Sequence, residues 1–166
     1  MSREPHPTGW KNDSHGDTET RRSWEAGPRN DLALAYLNRG VAHELAENLP
    51  GAVLDWGLGI GLLAEILDRG WHAAGVPLLR GLSWCFSGCR DLGDWPGAAK
   101  ALLGSLRAVE QLQSVWQAAP GEGEPPWMGE IAPLAAAARG LDPEQRAALL
   151  AALGEDAGMV RQGFGW

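Results

Sequence analysis

The sequence predicts an all-α protein, and three observations carry that prediction. Ala and Leu make up 25 and 23 of the 166 residues, whereas Val, Ile and Thr together make up only 12. A chain so rich in helix formers and so poor in β-branched residues is unsuited to a large sheet. From residue 30 onward, apolar stretches of helical length recur between breaks that contain Pro and Gly. Several of these breaks carry helix-start chemistry, at Asn48-Leu49-Pro50, Trp95-Pro96 and Asp142-Pro143-Glu144-Gln145. At this length about two thirds of the unfolded surface can be buried, enough for one compact domain.

Residues 1–29 hold no aliphatic side chain larger than Ala26 and are interrupted by Pro5, Pro7 and Pro28. They cannot bury enough apolar surface to offset ordering entropy, so they read as a flexible polar tail. Trp10 and Trp24 allow a second reading, an anchor that orders on a partner or in the protein's own groove. Asn30 and Asp31 are placed to cap a first helix over residues 32–46. Asn48 caps a second, with Pro50 in its first turn, and Gly70 stops it after Arg69. A third helix covers about residues 78–92 and ends at Gly93 and Asp94, and a fourth runs from Trp95 to about residue 118. Residues 119–127 are a Pro- and Gly-rich loop. Two more helices follow, residues 128–139 closed by Gly140, and residues 143–153 opened by the Asp142 cap with Gln145 three residues on. The Gly-rich remainder, residues 155–166, reads as irregular.

Composition excludes several functions. With 21 acidic against 14 basic residues the formal charge is -7, and Lys11 and Lys100 are the only lysines, so clustered phosphate contacts are not expected. No apolar run reaches the roughly 18 residues of a membrane span and the N-terminus is polar, so neither membrane insertion nor a secretory signal is expected. Two cysteines cannot make a disulfide framework and suggest a reducing, cytoplasmic setting.

The chain also matches itself at a shift of 46 residues. Leu32 falls on Leu78, Asn48 on Asp94, Leu49 on Trp95, and Pro50-Gly51-Ala52 on Pro96-Gly97-Ala98. A small residue just inside the second helix of each hairpin, Ala52 or Ala98, lets paired helices approach closely, and repeated hairpins stack into a solenoid. The run Ala35-Tyr36-Leu37-Asn38-Arg39-Gly40-Val41-Ala42, followed by Leu49-Pro50-Gly51-Ala52, resembles a bacterial tetratricopeptide repeat (TPR). Asp91-Leu92-Gly93-Asp94-Trp95-Pro96-Gly97-Ala98 resembles the turn of a second copy. The resemblance covers about residues 30–113. Against the family pattern, Gly59 stands where Ala is usual, His43 where an aromatic is common, and Phe86 where a small residue belongs.

What this resemblance implies is a short TPR-like solenoid of two hairpins over residues 30–118, a third helix pair over 128–154, and extended termini. It also implies a non-enzymatic protein-binding module, an accessory, assembly or scaffold subunit of a larger complex. In such repeats the first helix of each hairpin lines the concave face. That places Leu34, Leu37, Asn38, Val41, Glu44 and Leu45 from the first copy in the binding surface. From the second copy come Arg80, Ser83, Ser87 and Arg90, which at spacings of three, four and three share one helical face. The expected partner is a protein or peptide, with an acidic or C-terminal carboxylate group for the two arginines to pair with. Self-association through the same surfaces is equally allowed. Trp116, Trp127 and Trp166, with Trp10 and Trp24, read as interface anchors.

A rival motif overlaps the first hairpin. Val53-Leu54-Asp55-Trp56-Gly57-Leu58-Gly59-Ile60-Gly61 is similar to the first motif of class I S-adenosylmethionine (SAM) dependent methyltransferases, where glycines let the backbone turn tightly after a strand and approach the cofactor. The acidic residue that would hold the ribose hydroxyls falls at Pro77, and few β-branched residues follow to build further strands. The helical reading is therefore preferred, with the three glycines expected to serve close helix contact, covered by Trp56 or Trp84. Cys85 and Cys89, four apart, share a helical face where they would bind a metal or sense oxidation, but small buried packing residues are the simpler reading. His6, His15, His43 and His72 are scattered, and no Ser-His-Asp or His-Glu-x-x-His arrangement is present. No catalytic residue, cofactor or metal is expected.

Overall fold

One turn geometry, used twice, sets the path of the chain. The computed structural model describes residues 16–165. The first helix, α1 (Gly16–Leu45), passes to α2 (Leu49–Asp68) through Glu47, whose φ of 59° is left-handed. The Asn48 N–H donates to the His43 carbonyl at 2.8 Å and the Glu47 N–H to the Glu44 carbonyl at 2.9 Å, so the last carbonyls of α1 are satisfied as the chain leaves it. Asn48 then caps α2, its side-chain oxygen accepting from the Gly51 N–H at 3.2 Å.

The turn from α3 (Gly75–Leu92) to α4 (Trp95–Ala118) repeats this with every number raised by 46. Gly93 is left-handed at φ 72°, and the Asp94 N–H donates to the Cys89 carbonyl at 2.8 Å. Asp94 caps α4 by accepting from the Gly97 N–H at 3.0 Å. The self-match in the sequence is thus a repeat of local structure, because both segments need one left-handed residue followed by a capping side chain. Between the two hairpins, left-handed Gly70 closes α2 and a 3-10 turn over His72–Ala74 leads into α3.

Turns this short leave their helices antiparallel. α1 packs on α2, α2 on α3 and α3 on α4. The helix α5 (Met128–Arg139) lies on α3, α6 (Pro143–Leu153) lies on α4, and α7 (Ala157–Phe164) closes against α4, α5 and α6. The core runs without interruption from Trp56, Leu63 and Ile66 through Leu79, Phe86 and Leu102 to Leu134, Leu149 and Val160. Among the described residues the protein is all helical, with no strand.

Three sequence expectations need correction. α1 begins at Gly16, well before Asn30, and runs through Pro28. The composition argument weighed only burial, whereas residues 19–26 are mostly acceptable helix formers that extend a helix already nucleated downstream. Residues 128–153 do form two helices, but these pack chiefly on α3 and α4, with little contact between the two. Residues 157–164, expected to be irregular, are helical. Val160 and Phe164 share one buried face four residues apart, and Gly163 lets α7 approach α4, since a β-carbon there would lie 2.6 Å from Leu106. By length and composition α2 is apolar enough to cross a membrane. In the fold it is packed between α1 and α3, with the buried Asp55 in its first half bonded to Arg39.

Candidate protein-binding groove

Glycines bring the first three helices together. The Trp56 indole on α2 lies where a β-carbon of Gly40 on α1 would be. On its other side, a β-carbon at Gly88 of α3 would stand 2.7 Å from Val53 and 3.0 Å from the Trp56 ring. Trp84 packs against Trp56 with ring centroids 6.1 Å apart and planes tilted by 39°. One turn along, Leu37 occupies the space left by two more glycines, since β-carbons at Gly59 and Gly81 would fall 2.9 and 3.0 Å from its side chain. An indole and an isobutyl group thus take up the room that four missing β-carbons provide, which brings α1 and α3 close on either side of α2.

On this frame α1 carries Leu34, Asn38, Val41 and Leu45 at spacings of four, three and four, so they share one face. Leu34 and Val41 are half-buried, Asn38 is exposed, and Leu45 is 81% exposed. Glu44 is also exposed in the last turn. Leu37, which the resemblance placed in the binding surface, is instead a core residue buried between α2 and α3. It sits only three residues from Leu34, and on a 3.6-residue helix that rotation is enough to turn a side chain from a half-buried position into the core.

On α3 the expected polar stripe is largely engaged within the chain. Arg80 is held by Glu130 of α5 through two hydrogen bonds, Nε at 3.1 Å and Nη2 at 2.5 Å. The hydrogen bonds to Glu130 raise the Arg80 guanidinium above its ordinary pKa. Arg90 donates to the adjacent, exposed Asp91 at 2.7 Å, and Ser83 and Ser87 are half-buried. The carboxylate expected to come from a partner is thus supplied to Arg80 by the chain's own α5, which tethers that helix to α3.

An ion-paired cluster on the other side of the first hairpin was not singled out from the sequence. Arg39 donates to both oxygens of Asp55, Nε at 2.5 Å and Nη2 at 2.6 Å, and lies over the Tyr36 ring at 5.1 Å. His43 stands 3.5 Å from the same carboxylate through Nε2, and its Nδ1 lies 3.2 Å from the Asn48 amide nitrogen. Hydrogen bonding by Arg39 holds the Asp55 carboxyl below the ordinary carboxylate range, against the opposing effect of burial. A second pair joins Arg29 to Glu65 at 2.5 Å, with Arg69 donating to the same carboxylate at 2.6 Å. Both pairs straddle Glu47 symmetrically, 39 and 55 lying eight residues from it and 29 and 65 eighteen. That register is readable from the sequence once the turn is placed. Near these pairs, Leu32 of α1 and Leu54 and Leu58 of α2 are exposed, Leu54 at 66%.

The glycine motif forms no cofactor loop. Val53 to Gly61 lies wholly inside α2, none of its glycines has a positive φ, and Gly57 and Gly61 face open space. Trp127 is buried and meets the half-buried Trp116 edge-on at 5.6 Å, so these two pack on each other and do not stand out as interface anchors. Trp10, Trp166 and the Trp24 side chain lie outside the described residues. Compared with protein-family models, curated proteins and solved structures, the chain matches none.

Proposed function

We propose that the chain is a non-enzymatic helical-hairpin module of TPR-like type that binds another protein, as an accessory or scaffold subunit of a larger assembly. The observation that carries this reading is the row Leu34, Asn38, Val41 and Leu45 beside a tightly built frame, with Leu34 and Val41 half-buried, Asn38 exposed and Leu45 81% exposed at its end. A mixed apolar and amide row on a rigid helix suits an amphipathic or extended peptide, whose apolar side chains cover the leucines while its polar groups meet Asn38 and Glu44. With Arg80 already paired, the partner is recognised by apolar contact more than by a carboxylate. The turn repeated at Glu47 and Gly93 supports the helical-hairpin reading for α1 to α4. Two free cysteines suit a reducing, cytoplasmic setting.

The test is affinity capture from lysate of the source cells with three baits, the wild-type chain, Val41→Glu/Leu45→Glu, and Leu54→Lys on the outer face of α2. A stoichiometric partner retained by wild type and Leu54→Lys but lost by the double variant is the expected result. Equal recovery by all three baits, or no partner with any, rejects the reading.

A further inference from the structure

We propose that Cys85 and Cys89 form a binding site for one soft, monovalent, thiophilic cation of the Cu(I) class. The two sulfurs lie 3.9 Å apart on successive turns of α3. Cys89 is buried and Cys85 half-buried, so the pair has one sheltered ligand and one open to entry. Gly97, in the first turn of α4, keeps the space clear, since a β-carbon there would stand 2.7 Å from the Cys89 sulfur.

Geometry separates this use of the pair from a disulfide. Side chains at i and i+4 on a helix have β-carbons about 5–6 Å apart, whereas a disulfide needs about 3.5–4.5 Å. Closing that bond would break the last turn of α3, whose Cys89 carbonyl accepts the turn's own hydrogen bond from Asp94. A bridging ion makes no such demand. Two metal–thiolate bonds of about 2.3 Å in line span about 4.6 Å, so an opening of about 0.7 Å by side-chain rotation alone accommodates it. Among the described residues no group of three or more His, Cys, Asp or Glu side chains is placed to hold an ion. Zn2+ and Mg2+ therefore lack a ligand set, and two thiolates alone suffice only for an ion content with two soft ligands.

The two thiols already lie within hydrogen-bond distance, and either sulfur can donate to the other. The cation meets the half-buried Cys85 first and then the buried Cys89. From two thiols and one M+ the products are one S–M–S unit of charge -1 and two protons, with no change in oxidation state. Arg39 and His43 occupy the equivalent positions in the first hairpin, where they face Asp55; in the second hairpin Ala101 stands at the Asp55 position. The second hairpin thus carries two thiols where the first carries two potential cations.

The experiment uses the full reduced chain without oxygen, titrated with Cu(I) supplied as its bicinchoninate complex. Expected are withdrawal of one copper per chain, a thiolate-to-copper charge-transfer band, and proton release on binding. Affinity should fall at least tenfold in Cys85→Ser, whose side chain is half-buried, and in Cys89→Ala, with helical circular dichroism retained. An equal excess of Zn2+ should not displace the copper. The proposal is overturned if no copper is withdrawn, or if the double cysteine variant withdraws as much as wild type. It is equally overturned if diamide converts the pair quantitatively to an intramolecular disulfide.

Discussion

Arg39 on α1 and Asp55 on α2 form a two-point ion pair in which one member is 59% exposed and the other 4%. The asymmetry decides what each substitution costs. Arg39→Gln strands a buried carboxylate with only His43 nearby, whereas Asp55→Asn leaves a guanidinium that water can solvate. In urea unfolding at neutral pH, Arg39→Gln should therefore be the more destabilising of the two. Equal midpoints would mean that the pair is not buried as described.

The same pair sets an acid limit. The folded chain binds the Asp55 proton more weakly than the unfolded chain, so the pair contributes stability at neutral pH. That contribution is lost as pH falls from about 4, the ordinary Asp range, through the lower folded value. Glu65, lowered mainly by Arg29, acts in the same sense. Thermal melts from pH 6 to pH 2 should show a steeper acid loss for wild type than for Asp55→Asn. A parallel decline in the two proteins would exclude Asp55 as a contributor.

Within the glycine motif, substitutions by Ala should differ in sign. Gly57 and Gly61 face open space inside a helix, so each change should raise stability by about 0.5–1 kcal/mol. At Gly59 the new β-carbon would meet the Ala33 carbonyl and Leu37, both at 2.9 Å, and overpacking of that kind costs about 1–3 kcal/mol, outweighing the helix gain. Chemical denaturation of the three variants checks this. If Gly57→Ala and Gly61→Ala prove as damaging as Gly59→Ala, the motif is not the interior of a helix, and titration with SAM becomes the next measurement.

Glu47 is the non-glycine residue with positive φ among the described residues, at the position Gly93 fills in the second hairpin. Glu47→Gly should raise the unfolding free energy by about 0.5–1 kcal/mol, the strain relieved exceeding the backbone entropy added to the unfolded chain. A loss of stability would show that the Glu47 side chain makes a contact worth more than the strain.

Arg80→Ala should loosen α5 without unfolding the chain, since Glu130 is the residue through which this arginine holds that helix to α3. Hydrogen exchange across residues 128–139 should quicken by severalfold while α2 keeps its protection. Uniform acceleration along the chain would instead make the pair a determinant of global stability.

Much of the fold was legible in the sequence because its signals are local. Helix starts at Asn48, Asp94 and Asp142 come from one side chain reaching one nearby N–H, and stops at Gly70 and Gly93 from one left-handed residue. The all-helical class followed from composition, and the 46-residue repeat from two turns with the same backbone requirement. What the tertiary structure alone decided is which face of each helix meets another helix. It turned Leu37 inward and left Leu45 out, set Arg80 on Glu130 fifty residues away, put Trp56 against Gly40 and Gly88, and made Val160 and Phe164 the buried face of a helix among glycines. Those outcomes depend on close approach between segments distant in sequence, and a missing β-carbon looks the same in a chain whether it frees a turn, opens to solvent or receives an indole.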